Sequence, residues 1–138
     1  MRVLIAEDNA LVAMLMEDVL EDEGHEVIGS VPSAKVALDL VERGHPDLLI
    51  ADINLVDGES GCELVHEAHS RCGTPALFVT GSPDKAKACD TAIGVLGKPF
   101  SPETLRAAVQ AAAAIMKGKT PGRIPPELRL FAEFQPRP

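Results

Sequence analysis

The chain has no tryptophan and no tyrosine, and only four phenylalanines among its 138 residues. Its core must therefore be aliphatic. No apolar run approaches the roughly 20 residues that a membrane helix needs. Met1-Arg2 leads straight into Val3-Leu4-Ile5, too little for a signal peptide. The three cysteines, Cys62, Cys72 and Cys89, are odd in number and form no Cys-x-x-Cys. They are expected to be reduced thiols of a cytoplasmic protein, not a disulfide framework or a zinc site.

What is present is ordinary for a globular protein: 46% hydrophobic and 25% charged residues, enough chain for one domain with a real core. The net charge of −8 is unevenly spread. Residues 1–116 carry 8 Lys/Arg against 19 Asp/Glu, whereas residues 117–138 carry 5 against 2. An acidic body argues against nucleic acid as a general partner.

The apolar pattern predicts alternating strands and helices. Arg2–Ala6 reads as a strand running into Glu7-Asp8-Asn9. Val12, Leu15, Met16 and Val19 recur at helical spacing, giving a helix over 10–23 that Gly24 stops. A second strand spans Glu26–Val31, and Pro32-Ser33 opens a second helix. Leu48–Ala51 is an unbroken apolar run, the signature of a strand buried on both faces. A third helix carries Gly61, Leu64, Val65 and Ala68. Pro75–Val79 is the fourth strand, and Ser82-Pro83-Asp84 caps a short fourth helix, weak in core residues, that ends near Cys89. Ile93–Leu96 is the fifth strand, and Ser101-Pro102-Glu103 opens the last helix. Five such βα units imply an α/β fold, a doubly wound parallel sheet with right-handed crossovers and helices on both faces. The segment 117–138 is basic, holds five of the eleven prolines from Gly118 onward, and shows no strand pattern. Leu128, Phe131 and Phe134 would form one apolar stripe on a helical turn or two, suited to docking on this body or on a partner.

Polar groups stand at four strand ends: Glu7 and Asp8, then Asp52, then Thr80, then Lys98 before Pro99. In a parallel sheet these ends emerge on one edge, where open α/β sheets bind ligands. Clustered carboxylates repel unless a cation sits among them. Oxygen-only ligands suit Mg²⁺, with Mn²⁺ as a substitute. Asp8 and Asp52 offer one oxygen each, a backbone carbonyl just past Asp52 (Asn54) a third, and Glu7 a contact through water. An Asp carboxylate is also a competent nucleophile toward phosphorus. Lys98 and Thr80 would then meet the oxygens of an acyl phosphate. Gly81, with Ser82 after it, leaves room for a group carried on Asp52. His66 and His69 on the third helix read as exposed histidines rather than metal ligands.

These residues resemble the response-regulator receiver domains of two-component signalling. The resemblance covers residues 1–116 and rests on Glu7-Asp8, on Asp52 after its apolar strand, on Thr80-Gly81 and on Lys98-Pro99-Phe100. Phe78-Val79-Thr80-Gly81 is also similar to a receiver subgroup that carries Phe-Ala-Thr-Gly. The resemblance implies a five-stranded sheet of order 2-1-3-4-5 and a cis Lys98–Pro99 bond. It implies Mg²⁺-dependent phosphoryl transfer to Asp52 from a histidine kinase or a histidine phosphotransfer protein. Output to a downstream protein would run through the face built from the fourth helix, the fifth strand and the last helix, with a homodimer as a further partner. Such a protein is not a turnover enzyme beyond its own phosphorylation and dephosphorylation.

Three departures stand out. The Met-Pro that usually follows the phosphoacceptor is Ile53-Asn54 here. The loop to Gly61 is one residue longer than usual. The usual switch aromatic, three residues before the lysine, is Val95, which leaves the fourth helix as the element expected to switch. Two other readings compete. A docking module would use the fold without phosphorylation. A phosphatase of the haloacid-dehalogenase type wants a second Asp two positions after its nucleophile, where Asn54 stands.

Overall fold

The computed structural model describes residues 1–131, apart from the side chain of Asp57. Five parallel strands and one antiparallel strand form a single sheet in the order β2-β1-β3-β4-β5-β6. The elements are β1 (Arg2–Ala6), α1 (Ala10–Asp22), β2 (Glu26–Val31), α2 (Ala34–Gly44), β3 (Leu48–Ala51), α3 (Gly61–Cys72), β4 (Ala76–Thr80), β5 (Gly94–Gly97), α4 (Pro102–Met116) and β6 (Leu128–Leu130). The parallel order 2-1-3-4-5 is the one that the resemblance to receiver domains implies, with β6 added at the β5 edge.

Local chemistry sets the helix boundaries. The Asn9 side chain accepts from the Leu11 and Val12 N–H groups and starts α1. Ser33, Ser60 and Ser101 cap α2, α3 and α4 in the same way, a contribution of about 1 kcal/mol each. Gly73, at φ 67°, closes α3. At the end of α2 the left-handed position falls on His45 (φ 45°), because Gly44 is still helical.

The central strands are buried on both faces, so their side chains divide between two cores. Val3, Ile5, Leu48, Ile50, Leu77, Val79 and Leu96 pack with α1 and α4. Leu4, Ala6, Leu49, Ala51, Phe78 and Val95 pack with α2 and α3. Among the described residues Phe78 is the only aromatic of the largest fully buried side chains, so the core is aliphatic.

Three expectations need correction. The fourth helix is a six-residue 3-10 segment, Pro83–Ala88, in which Ala86 alone is buried. The sequence there holds one core-sized apolar position, too little to fix α-helical turns against the sheet. Leu128–Leu130 is not helical but a strand, paired antiparallel with β5 in the register Gly94↔Leu130, Val95↔Arg129 and Leu96↔Leu128. An open β5 edge offers unpaired N–H and C=O groups, and three tail residues satisfy them. Leu128 is buried in the α1/α4 core, and Phe131 packs against the core that holds Val95. Phe134 lies outside the described residues. Finally, Cys62 and Cys89 are joined in a disulfide, with Cys72 free. A separation of 27 residues and no motif hid this pairing in the sequence. The parallel sheet brings the start of α3 and the end of the 3-10 segment to one side, with Cα atoms 5.6 Å apart.

Candidate functional site

Each polar residue singled out in the sequence is placed by the last hydrogen bonds of its strand. Glu7 N–H donates to Val31 O (2.9 Å), carrying β1 one residue beyond its ladder. Asp52 N–H donates to Ala6 O (2.9 Å), which sets Asp52 beside Glu7. Lys98 N–H donates to Thr80 O (2.8 Å), which fixes the start of the lysine stem next to Thr80. The Lys98–Pro99 bond is cis.

The centre is an ion cluster. Lys98 Nζ donates to Asp52 Oδ2 at 2.8 Å. The same ammonium lies 2.5 Å from Glu7 Oε1, so one cation holds both buried carboxylates. Glu7 Oε2 accepts from Asn9 N–H (3.0 Å), and Asp52 Oδ1 accepts from Asn54 N–H (3.2 Å). Glu7 and Asp52 are buried, and Asp8 is exposed. Burial pushes the Glu7 carboxyl above its usual range, and its contacts with Lys98 and the Asn9 N–H offset this only in part. For Lys98, burial pulls the other way, but the bond to Asp52 and the Glu7 contact outweigh it and hold the ammonium above the ordinary lysine value.

Oxygens of Glu7, Asp8 and Asp52 lie within 4.8 Å of one another, a spacing that fits one cation. Three carboxylates cluster here with one ammonium, which leaves negative charge for a cation to neutralise, and an all-oxygen set fits Mg²⁺. Asn54 is exposed, and its side chain reaches Ser82 Oγ at 3.5 Å. Among the described residues no backbone N–H donates to its carbonyl, which leaves that oxygen free for the role expected of it. Thr80 is fully buried and its hydroxyl accepts from Ser82 N–H (3.1 Å), so it is turned toward the 81–82 corner. A Cβ on Gly81 would meet nothing within 4 Å, so the space beside it is open.

One residue carries more than its sequence signal. Gly61 looked like a helix start, but a Cβ there would collide with the Asp52 carbonyl. Gly61 N–H also donates to Ile53 O at 2.7 Å. The glycine lets α3 begin directly against the backbone of the phosphoacceptor candidate. Its proximity to Asp52 arises only when the loop folds back, as the Asn54–Ser60 bridge shows.

Comparison with known proteins agrees with this geometry. The family model of the response regulator receiver domain matches residues 3–110. The chain is 33% identical over 114 residues to the phyllosphere-induced regulator PhyR of Methylorubrum extorquens, covering 80% of this chain and 42% of that protein. It is 33% identical over 117 residues to the transcriptional regulatory protein PdtaR of Mycobacterium tuberculosis, covering 82% and 57%. It thus spans about half the length of these relatives. Among solved structures, PhyR from Brucella abortus superposes with a TM-score of 0.77 at 33% identity, over 85% of this chain and 49% of that one. The chemotaxis response regulator CheY4 of Vibrio cholerae gives 0.68 at 30% identity, over 80% and 97%. With the sheet order, the acidic cluster and the Lys98–Asp52 pair in place, the match over residues 3–110 makes this chain a member of the response regulator receiver domain family.

Proposed function

We propose that Asp52 accepts a phosphoryl group from a histidine kinase or a histidine phosphotransfer protein, and that the phosphorylated chain is read by a protein partner or passes the group on in a relay. The observation that carries this reading is the Lys98–Asp52 ion pair at the carboxyl edge of the sheet, with Glu7 against the same ammonium. In the transfer, an Asp52 carboxylate oxygen bonds to phosphorus as the phosphorus–nitrogen bond of the donor histidine breaks. The imidazole leaves with the electron pair of that bond and takes up a proton. Asp52 is held for in-line attack by the Asn54 N–H on Oδ1 and by Lys98 on Oδ2. Lys98 then offsets charge on the phosphoryl oxygens. Glu7, Asp8, Asp52 and the Asn54 carbonyl would hold Mg²⁺, which supplies charge neutralisation to the phosphoryl group when bound. Gly81 leaves space for the group, while Ser82 and the Thr80 hydroxyl stand at its margin. The chain turns over no separate substrate, and its output surface is built from the 3-10 segment, α4 and the β6 strand that covers the β5 edge.

The test is mass measurement of the intact protein after incubation with Mg²⁺ and acetyl phosphate. One phosphoryl group per chain, absent in Asp52→Asn, is expected. Many turnovers of acetyl phosphate per chain would replace this reading with a phosphatase. No labelling at all would leave a docking module.

A further inference from the structure

The Cys62–Cys89 disulfide closes a ring of chain that contains all of β4, including Thr80, and the 81–82 corner beside Asp52. One end of the bond is in the first turn of α3, next to Gly61, which rests on the Asp52 backbone. The other end is the residue that caps the 3-10 segment Pro83–Ala88. The bond therefore ties the start of α3 to the end of the segment that follows the 81–82 corner.

The 3-10 segment has few other anchors. Its backbone bonds Lys85 N–H to Ser82 O and Cys89 N–H to Ala86 O are internal to the segment. Ala86 is its one buried side chain, and the Asp84–Arg129 pair at 3.9 Å is solvent-exposed. Such segments belong to the low-stability end of a fold, and a covalent tie there changes local opening most.

The bond is also reachable. Cys62 is half-buried and, with Glu63, His66, Cys89 and Thr91, lines an open groove of about 450 Å³. The reduced state has a place as well: Cys89 Sγ lies 3.8 Å from Lys85 O, to which a thiol can donate. Cys72, ten residues and about 15 Å along α3 from Cys62, is too far to compete.

We propose that Cys62 and Cys89 are a reversible thiol–disulfide site for a low-molecular-weight disulfide of the glutathione type, and that its redox state sets how freely residues 81–92, which begin at the corner beside Asp52, move. The half-exposed Cys62 thiolate attacks one sulfur of the small disulfide and expels one thiolate. Cys89 then attacks the Cys62 sulfur of the mixed disulfide and expels the second. Two protons leave the cysteines and protonate the two released thiolates, and two electrons pass from the pair to the small disulfide. The importance of the Asp52 corner rests on the phosphoacceptor reading, but neither measurement below requires phosphorylation, so the two readings fail separately.

The experiment uses the full chain carrying Cys72→Ser, equilibrated in buffers of reduced and oxidised glutathione, alkylated and weighed intact. Loss of both alkyl adducts in a single transition across the series, reversed by added reduced glutathione, is expected. Hydrogen exchange of residues 83–92 is expected to be at least about tenfold faster in the reduced protein than in the oxidised one, with Cys62→Ser/Cys89→Ser matching the reduced protein. Two adducts in every buffer, or a pair that reduced glutathione cannot open in the folded protein, would overturn the proposal. So would equal exchange of 83–92 in both redox states.

Discussion

Gly61 rests on the Asp52 backbone so closely that no Cβ fits between them. Gly61→Ala must therefore push α3 or the Asp52 loop away, and overpacking of this kind costs about 1–3 kcal/mol. A lower urea midpoint with an unchanged m-value is the expected result. Gly81→Ala supplies the contrast, because the space around Gly81 is open. It should leave stability within about 0.5 kcal/mol and slow labelling by acetyl phosphate, since the methyl narrows the space for a phosphoryl group. Equal stability of the two variants would show that the Gly61 contact is slack.

Lys98 is the counter-charge for two buried carboxylates. In a chelator, Lys98→Met is expected to lose about 3 kcal/mol, because removing one partner leaves the others buried and unpaired. Magnesium should restore part of that loss by bringing positive charge back among the same oxygens. Labelling at Asp52 should slow by about 10²-fold, the usual penalty for losing one charge-stabilising donor. Thermal unfolding with and without Mg²⁺ reads the first effect, and mass spectrometry against time reads the second.

Glu7 gives the chelated protein a pH signature. Its folded pKa is raised above the ordinary 4.5, so between the two values the folded chain binds more protons than the unfolded chain. Stability then falls as pH rises from about 4.5 through the raised value. Glu7→Gln should flatten that part of the profile, above pH 4.5. Lys98 acts at the other end: its stabilisation is complete below 10.5 and is lost as pH rises through its raised folded value. Urea midpoints across pH for both proteins check the slopes. An identical slope in Glu7→Gln would assign it to another group.

The tail strand is expected to be stabilising. Ending the chain at residue 117 removes β6 and exposes the core that Leu128 covers, a loss of roughly 1.5–3 kcal/mol for one leucine. It also uncovers the β5 edge, so the shortened chain should associate in sedimentation at high concentration. Gly94→Ala tests the same contact from the other side, because its Cβ would meet the Arg129 carbonyl. Faster hydrogen exchange of residues 128–131, with β1 to β4 unaffected, is the expected outcome. An unchanged unfolding midpoint after truncation would count against a stabilising β6.

The five parallel strands and four of the five expected helices were legible because each carries its own periodicity and stop signals. Asn9, Ser33, Ser60 and Ser101 mark helix starts by local hydrogen bonding alone. The fourth helix failed for the reason that made it look weak: one buried alanine cannot hold an α-helical face on the sheet. β6 was illegible because three residues are too few to show alternation, and the open edge of β5 selects them.

By itself, the sequence determined which residues stand at strand ends, and so that Glu7, Asp8, Asp52, Thr80 and Lys98 share one edge. Strand positions follow from the local apolar pattern and their parallel direction from the alternation of strands and helices, whereas the order 2-1-3-4-5 is what the resemblance to receiver domains implies. Only the tertiary structure decided the pairings: Lys98 with Glu7 as well as Asp52, Gly61 against the Asp52 carbonyl, Cys62 with Cys89, and Leu128 under β5. Each joins positions far apart in the chain or separated by a loop, and none leaves a periodic trace. Such contacts depend on how loops and tail close over a formed sheet.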